Sequence, residues 1–272
     1  MGAGNGTLSL FSQSGAEMAT LSAQSAAGGG VLRLAQSTGH SGVWMDGDQG
    51  EFRVYNSAGT PAFELDGGKF GRGSFAMNRP DGTSSLYFVS QETDQESGAL
   101  YLFNDDREVS IELDPGFGGM GRVITDELQI TGGADLSEGF RLGRDSKEVV
   151  PGTVLVIAEG ATGELVTSTR AYDSRVAGVV SGAGDVRPGL LMGQRNTIAD
   201  GEVPVALTGR VYVRVDASES PVLAGDLLTT SATPGHAMKA VEVSRRPGAI
   251  LGKALTGLQS GQGLVLTLVT LQ

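Results

Sequence analysis

A chain of 272 residues has room for one large or two ordinary domains. It has no cysteine, which excludes disulfides, thiolate metal sites and cysteine nucleophiles, and its 43 glycines keep no three-residue period, which excludes a collagen helix. The net charge of -11 is carried by residues 1–150, with 10 Lys and Arg against 21 Asp and Glu, while residues 151–272 carry 10 of each; such an acidic surface repels phosphate backbones, so nucleic acid is not an expected partner.

The longest apolar runs, such as VLVIA (154–158), are too short to span a membrane, and membrane insertion is not expected. No basic segment followed by an apolar core opens the sequence, so no signal peptide is visible. Export, if it occurs, is then expected through lysis or a dedicated machine.

From the amino end, five stretches share one pattern: LSLFSQSGAEMATLS (8–22), LRLAQSTGHSGVWMD (32–46), FRVYNSAGTPAFELD (52–66), FAMNRPDGTSSLYFV (75–89) and LYLFNDDREVSIELD (100–114). Each has apolar residues at alternate positions, then a polar turn such as SQSG, NSAG, NRPDG or NDDR, then alternation again. Alternation of period two predicts strands with one buried face, and the tetrads predict hairpin turns. The copies recur roughly every 20–25 residues, a spacing of stacked repeats. A looser copy, VITDELQI, closes the series at Ile130. Glycine clusters at 28–30, 66–73 and 115–121 predict tight corners.

Each predicted strand offers only two or three apolar side chains, and a hairpin of that kind does not stabilise itself in water. The missing partner is expected to be identical chains around a threefold axis, giving a slender shaft. A monomeric β-solenoid is the alternative.

GGADLSEGF (132–140) reads as a connector. From Val150 the strands become continuous: TVLVIA (153–158), VAGVV (176–180), VPVALTGRVYVRV (203–215), GAILGKAL (248–255) and LVLTLVTL (264–271). Residues 151–182 and 224–257 look like copies of one three-strand unit. Each has a glycine before its first strand (Gly152, Gly225), a turn glycine (Gly163, Gly235), a basic tetrad (DSRV, SRRP) and a third strand with a central glycine (Gly178, Gly252). The expected fold is therefore all-β: an elongated β-hairpin repeat shaft over 1–131, a connector over 132–149, and a compact, internally duplicated β-domain over 150–272.

Other motifs carry weaker chemistry. GFGGMG (116–121) matches G-x-G-x-x-G by letter but precedes a strand, so a glycine corner is expected rather than a dinucleotide site. DGDQGE (46–51) offers Asp46, Asp48 and Glu51 as calcium ligands, without the further acid at the offset a calcium loop needs, so a turn is the preferred reading. The two histidines, His40 and His236, have no zinc-ligand spacing. Trp44, the single tryptophan, reads with Phe52 and Tyr55 either as a contact between repeats or as a sugar-binding face.

GADLSEGF, PGTVLVIA and YDSRVAGVVSG together resemble the opening of the peptidase G2 family, the intramolecular-chaperone autoprocessing domain of phage tail spikes and neck appendages. The repeats over 6–130 more loosely resemble fibre shafts of phages and contractile injection systems. The resemblance implies a trimer whose C-terminal domain registers three chains, and chain cleavage beside an acidic junction. By position Asp135 and Glu138 match that junction, with Ser137 as the one nearby nucleophile, whereas Leu136 and Gly139 replace the family's usual aromatic residues. The expected role is a structural fibre or appendage subunit on an extracellular particle. It would associate with sister chains, with other particle subunits, and with a cell-surface glycan or protein receptor, without a cofactor. The alternatives are a self-cleaving chaperone domain cutting near 132–138 and a bacterial surface filament or adhesin subunit.

Overall fold

The computed structural model describes residues 6–23, 29–68, 73–90, 98–117, 120–144, 146, 149–160 and 162–271. The protein is all-β, with 52% of residues in strands and two sheets of 11 and 10 strands. By contacts along the chain it divides into two units, Met1–Leu128 and Gln129–Gln272.

The first unit is one antiparallel sheet in which every strand pairs with its sequence neighbours: β1 (Thr7–Phe11), β2 (Glu17–Ala23), β3 (Gly30–Ala35), β4 (Ser41–Asp46), β5 (Glu51–Tyr55), β6 (Pro61–Asp66), β7 (Ser74–Asn78), β8 (Ser84–Val89), β9 (Ala99–Phe103), β10 (Val109–Phe117) and β11 (Met120–Thr125). Each of the five sequence repeats is one hairpin of this meander. The parallel pairing of solenoid coils does not occur among its described strands. The loose sixth copy contributes only its first residues, to β11; residues 126–130 form no strand.

The five hairpin turns are built alike. The first turn residue (Ser12, Gln36, Asn56, Arg79, Asn104) accepts a hydrogen bond from the amide three positions on and donates its own amide to the carbonyl four positions on. The residue three positions on is left-handed in every copy: Gly15, Gly39, Gly59 and Gly82 have φ of 83, 85, 82 and 88°, and Arg107 has φ 70°. Glycine recurs there because a Cβ is disfavoured in that region. The register slips at the mouth of each turn, at Leu10/Phe11, Leu34/Ala35, Val54/Tyr55, Met77/Asn78 and Val109/Ile111, so a bulge accompanies every turn. Of the glycine clusters, Gly28, residues 69–72, Gly118 and Gly119 lie outside the described residues.

The second unit begins earlier than the strand-rich sequence suggests. Residues 135–142, expected within a connector, form β12 (Asp135–Leu142), paired with strands on both of its edges. Its most buried positions are Asp135, Ser137 and Gly139; on its other side Phe140 and Leu142 pack against the cluster of Leu155, Leu165, Val180 and Val205, with Glu138 interrupting the apolar alternation. The remaining strands are β13 (Val154–Ile157), β14 (Glu164–Thr167), β15 (Val176–Val180), β16 (Leu190–Met192), β17 (Val203–Asp216), β18 (Leu227–Thr230), β19 (Ala237–Lys239), β20 (Ile250–Ala254) and β21 (Gln262–Thr270).

The suspected duplication is visible as topology. β13 lies between β14 and β15, and β18 lies between β19 and β20, all antiparallel. Parallel pairing of β12 with β14 and antiparallel pairing of β17 with β15 and β12 close the first copy into a five-membered ring. The second ring repeats this scheme: β17 pairs in parallel with β19, and β21 closes against β20 and β17. The first half of the 14-residue β17 ends one ring and its second half starts the other. The third-strand glycines meet the closing strand in both copies. A Cβ on Gly178 would stand 2.6 Å from the Ala206 carbonyl oxygen, and one on Gly252 would overlap that of Leu268. Val211, Val213, Val215, Leu228, Leu251, Val265 and Val269 form the main core, all at most 1% exposed, and Leu155, Leu165, Val180 and Val205 form a second cluster.

Candidate functional site

The regular register of the first sheet lines up its apolar side chains. Leu8, Leu21, Leu32, Met45, Phe52, Leu65, Phe75, Phe88, Leu100, Leu113 and Val123 are successive cross-strand partners, one from each strand. A second row, Leu10, Ala19, Leu34, Val43, Val54, Phe63, Met77, Leu86, Leu102, Ile111 and Thr125, runs beside it two residues away, hence on the same face. Only Thr125 is polar. Phe52, Phe63 and Phe75 meet edge to face, with centroids 5.8 and 5.1 Å apart. Toward β11 this face is dished into a cleft of about 530 Å³ whose walls include Phe88, Leu100, Leu113 and Val123.

The opposite face is mixed: Val31, Ala76, Val89 and Ala99 are buried on it and Tyr87 stacks on Tyr101, while its remaining positions carry paired charges. Arg33 pairs with Glu17, Arg53 with Glu51 and Glu64, and Arg122 with Glu112 and Asp114. The apolar face has no such relief: Leu8, Leu10, Leu21, Leu34, Met45, Leu65, Met77, Phe88, Leu113 and Val123 are each at least 40% exposed. Full burial of such side chains contributes roughly 1.5–3 kcal/mol each. Covering the half still exposed in ten of them corresponds to about 10 kcal/mol per chain. A contiguous patch of this extent marks an interaction surface.

The acids of DGDQGE serve their turn. The Asp46 carboxylate accepts the amides of Asp48 and Gln49 at 2.9 and 3.1 Å, and Glu51 pairs with Arg53 at 3.2 Å. Among the described residues no group of three acidic or histidine side chains is placed to hold a metal ion.

Asp135, Ser137 and Glu138 lie on β12. The Ser137 hydroxyl is fully buried and donates to Asp135 Oδ2 at 2.5 Å, while Asp135 Oδ1 is buried without a partner among the described residues. Glu138 points from the other face of the strand, so the two carboxylates are not opposed across one peptide bond. The backbone between them is paired with β16 on one edge and β17 on the other.

His40 and His236 fall in different units; His236 is 5% exposed with Nδ1 2.8 Å from the Pro234 carbonyl. Trp44 and Phe52 are not neighbours on one face: Trp44 pairs across to Arg53 on the polar side, and Phe52 belongs to the apolar row. Tyr55, two residues beyond Arg53, shares the tryptophan's side.

Sequence reasoning missed a polar cavity of about 580 Å³ in the second unit, bordered by Tyr172, Asp216, Thr233, Glu242 and Arg245. Tyr172 is left-handed, with φ 58°; its hydroxyl accepts the Glu242 amide at 2.8 Å, and the Arg245 guanidinium lies 4.4 Å over its ring. The tyrosine immediately precedes one basic tetrad and the arginine belongs to the other, so the contact clasps the two copies. Hydrogen bonds from Thr233 and then Ser218 hold the Asp216 carboxyl down at about 2. Comparison of the sequence with protein-family models and with curated proteins gives no match.

Proposed function

We propose that this chain is a structural subunit of a fibre or appendage of a phage-like or contractile-injection-type particle, acting as a homotrimer and without turnover. The observation that carries the reading is the pair of apolar rows crossing all eleven strands. A partner for this face must offer a matching apolar surface of the same length, and an identical chain does so by construction. Burial of about 10 kcal/mol of residual apolar surface per chain is of the size needed to offset the estimated 4–15 kcal/mol cost of association. The charged face would then look outward, where its acidity keeps the assembly soluble. The second unit, with its own closed rings and core, suits a folded head that sets the register of the three chains. The number three comes from the resemblance of GADLSEGF, PGTVLVIA and YDSRVAGVVSG to the peptidase G2 domains of trimeric appendages.

Sedimentation equilibrium tests this. The expected mass is three times 27.9 kDa. Leu65→Glu puts a charge in the apolar row and is expected to give monomers or aggregates, whereas Ser22→Glu, on the charged face, keeps the wild-type mass. A wild-type monomer at every dilution removes the assembly reading. A stable dimer removes the trimer, because two copies face to face cover the same rows.

A further inference from the structure

The polar face of the first sheet carries a second feature that the assembly reading leaves unused. Trp44 stands in the cross-strand row between Arg33 and Arg53. With His40, Ser41, Arg53 and Tyr55 it lines an open cleft of about 390 Å³ beside the turn at Ala58 and Gly59. Trp44 shares this face with the buried Val31, Ala76, Val89 and Ala99 and the stacked Tyr87 and Tyr101, but its own neighbours across the strands are two arginines and it borders an open cleft.

The charges around the indole are balanced. Arg53 is held by Glu64 at 2.9 Å and Glu51 at 3.2 Å, and lines the cleft together with Tyr55. Arg33 donates to Ser41 Oγ at 2.9 Å and to the Gly39 carbonyl at 2.7 Å, and pairs with Glu17 at 3.4 Å. Neither guanidinium is left to attract an anion, in a unit that is acidic overall. The Trp44 indole N–H makes no hydrogen bond to the described residues. Gly59 keeps the cleft wall close: its φ is 82°, and a Cβ there would come within 2.9 Å of His40 Nδ1.

From this arrangement we propose that the cleft binds a neutral saccharide. A pyranose presents a C–H face that stacks on an aromatic ring and a rim of hydroxyls that both donate and accept. The cleft supplies a matching set: the indole face and its N–H, which has no partner among the described residues, the Tyr55 and Ser41 hydroxyls, the His40 ring and the Arg53 guanidinium. An anionic ligand would have to compete with Glu51 and Glu64 for Arg53, and an apolar ligand would strand the lining polar groups without partners. The site faces away from the apolar rows and does not depend on whether chains associate.

Trp44 is the sole tryptophan, so its fluorescence in the full chain reports the site directly. The probes are neutral hexasaccharides of glucose, mannose, galactose and N-acetylglucosamine, with oligogalacturonate as the anionic arm. The expected result is a saturable change with at least one neutral probe, weakened at least tenfold by Tyr55→Ala or His40→Ala while the far-ultraviolet spectrum is unchanged. Calorimetry with Trp44→Ala should lose the heat of the same probe. No saturable change up to about 10 mM overturns the proposal, since weaker contacts are not specific sites. A response to the anionic probe alone overturns the neutral class, and binding that survives both Tyr55→Ala and Trp44→Ala overturns the location.

Discussion

Replacing Gly252 by alanine tests the duplicated architecture most directly. The new methyl would overlap the Leu268 carbonyl oxygen and come within 2.9 Å of the Val269 Cα. Both are backbone atoms of β21, so no side chain can swing aside. Restoring an ordinary carbon–carbon separation of ~3.5–4 Å requires β21 to retreat by roughly 1 Å. Backbone hydrogen bonds near 2.9 Å would then stretch past the useful range. The pairs Gly252–Val269, Lys253–Leu268 and Ala254–Thr267 join these two strands. Losing about three hydrogen bonds at ~1 kcal/mol each, plus about 1 kcal/mol of loosened packing around Leu251 and Val269, outweighs the ~0.5 kcal/mol gained from a stiffer unfolded chain. The net is about 3–4 kcal/mol. A unit spanning Gln129–Gln272 has an unfolding entropy of roughly 0.3 kcal/mol per degree, so its Tm should fall by about 10 °C in scanning calorimetry. Gly178→Ala, in the equivalent place against Ala206, should act in the same direction. Gly225→Ala is the control: φ is 93° but nothing lies within 4 Å of its Cβ, so only backbone strain of about 1 kcal/mol and a loss of about 3 °C are expected. If Gly252→Ala costs no more than Gly225→Ala, the close approach of β20 and β21 is refuted.

Three further outcomes follow from the same geometry. A fragment covering 129–272 should unfold cooperatively, whereas one starting at 140 lacks most of β12 and should fail to close its first ring, seen as a lost or broadened calorimetric transition. Asp216 has its carboxyl lowered from 3.8 to about 2 by Thr233 and Ser218, so its contribution is present above 3.8 and lost as pH falls through about 2. Asp216→Asn should therefore be less stable than wild type at neutral pH, and the two unfolding curves should converge toward pH 2. Mass spectrometry of the purified chain should give 27.9 kDa intact, because Asp135 and Glu138 face opposite sides of β12 and Leu136–Glu138 is paired on both edges; a fragment starting between Gly132 and Asp135 that vanishes in Asp135→Ala would contradict this.

The five hairpins were legible because strand alternation and turn chemistry act locally, over a dozen residues at a time. The duplicated triplets were legible through glycines at matching offsets, Gly178 and Gly252 above all, whose need for a missing side chain is a backbone constraint. β12 was not, because small and polar residues, Asp135, Ser137 and Gly139, take its most buried positions and Glu138 interrupts the alternation of Leu136, Phe140 and Leu142 on the other side. Nor was the separation of Trp44 from Phe52, since whether Trp44 pairs with Arg53 or with Phe52 depends on how many residues the intervening turn absorbs. Ring closure was equally hidden: β12 finds β17 some sixty residues later, and no local pattern announces such a pairing. The acids picked out as chemistry, Asp46 and Asp135, hold a turn amide and a serine hydroxyl, roles that need their neighbours' coordinates to be seen.

The long strand from Val203 to Asp216 is common property of both rings. During synthesis the earlier copy stays an open curl until this strand has left the ribosome, and its arrival both seals that curl and lays the first stave of the next. Neither barrel can be deleted, swapped or melted without taking a wall from the other, so the carboxy-terminal unit should respond to heat and to proteases as a single body in spite of its repeated plan.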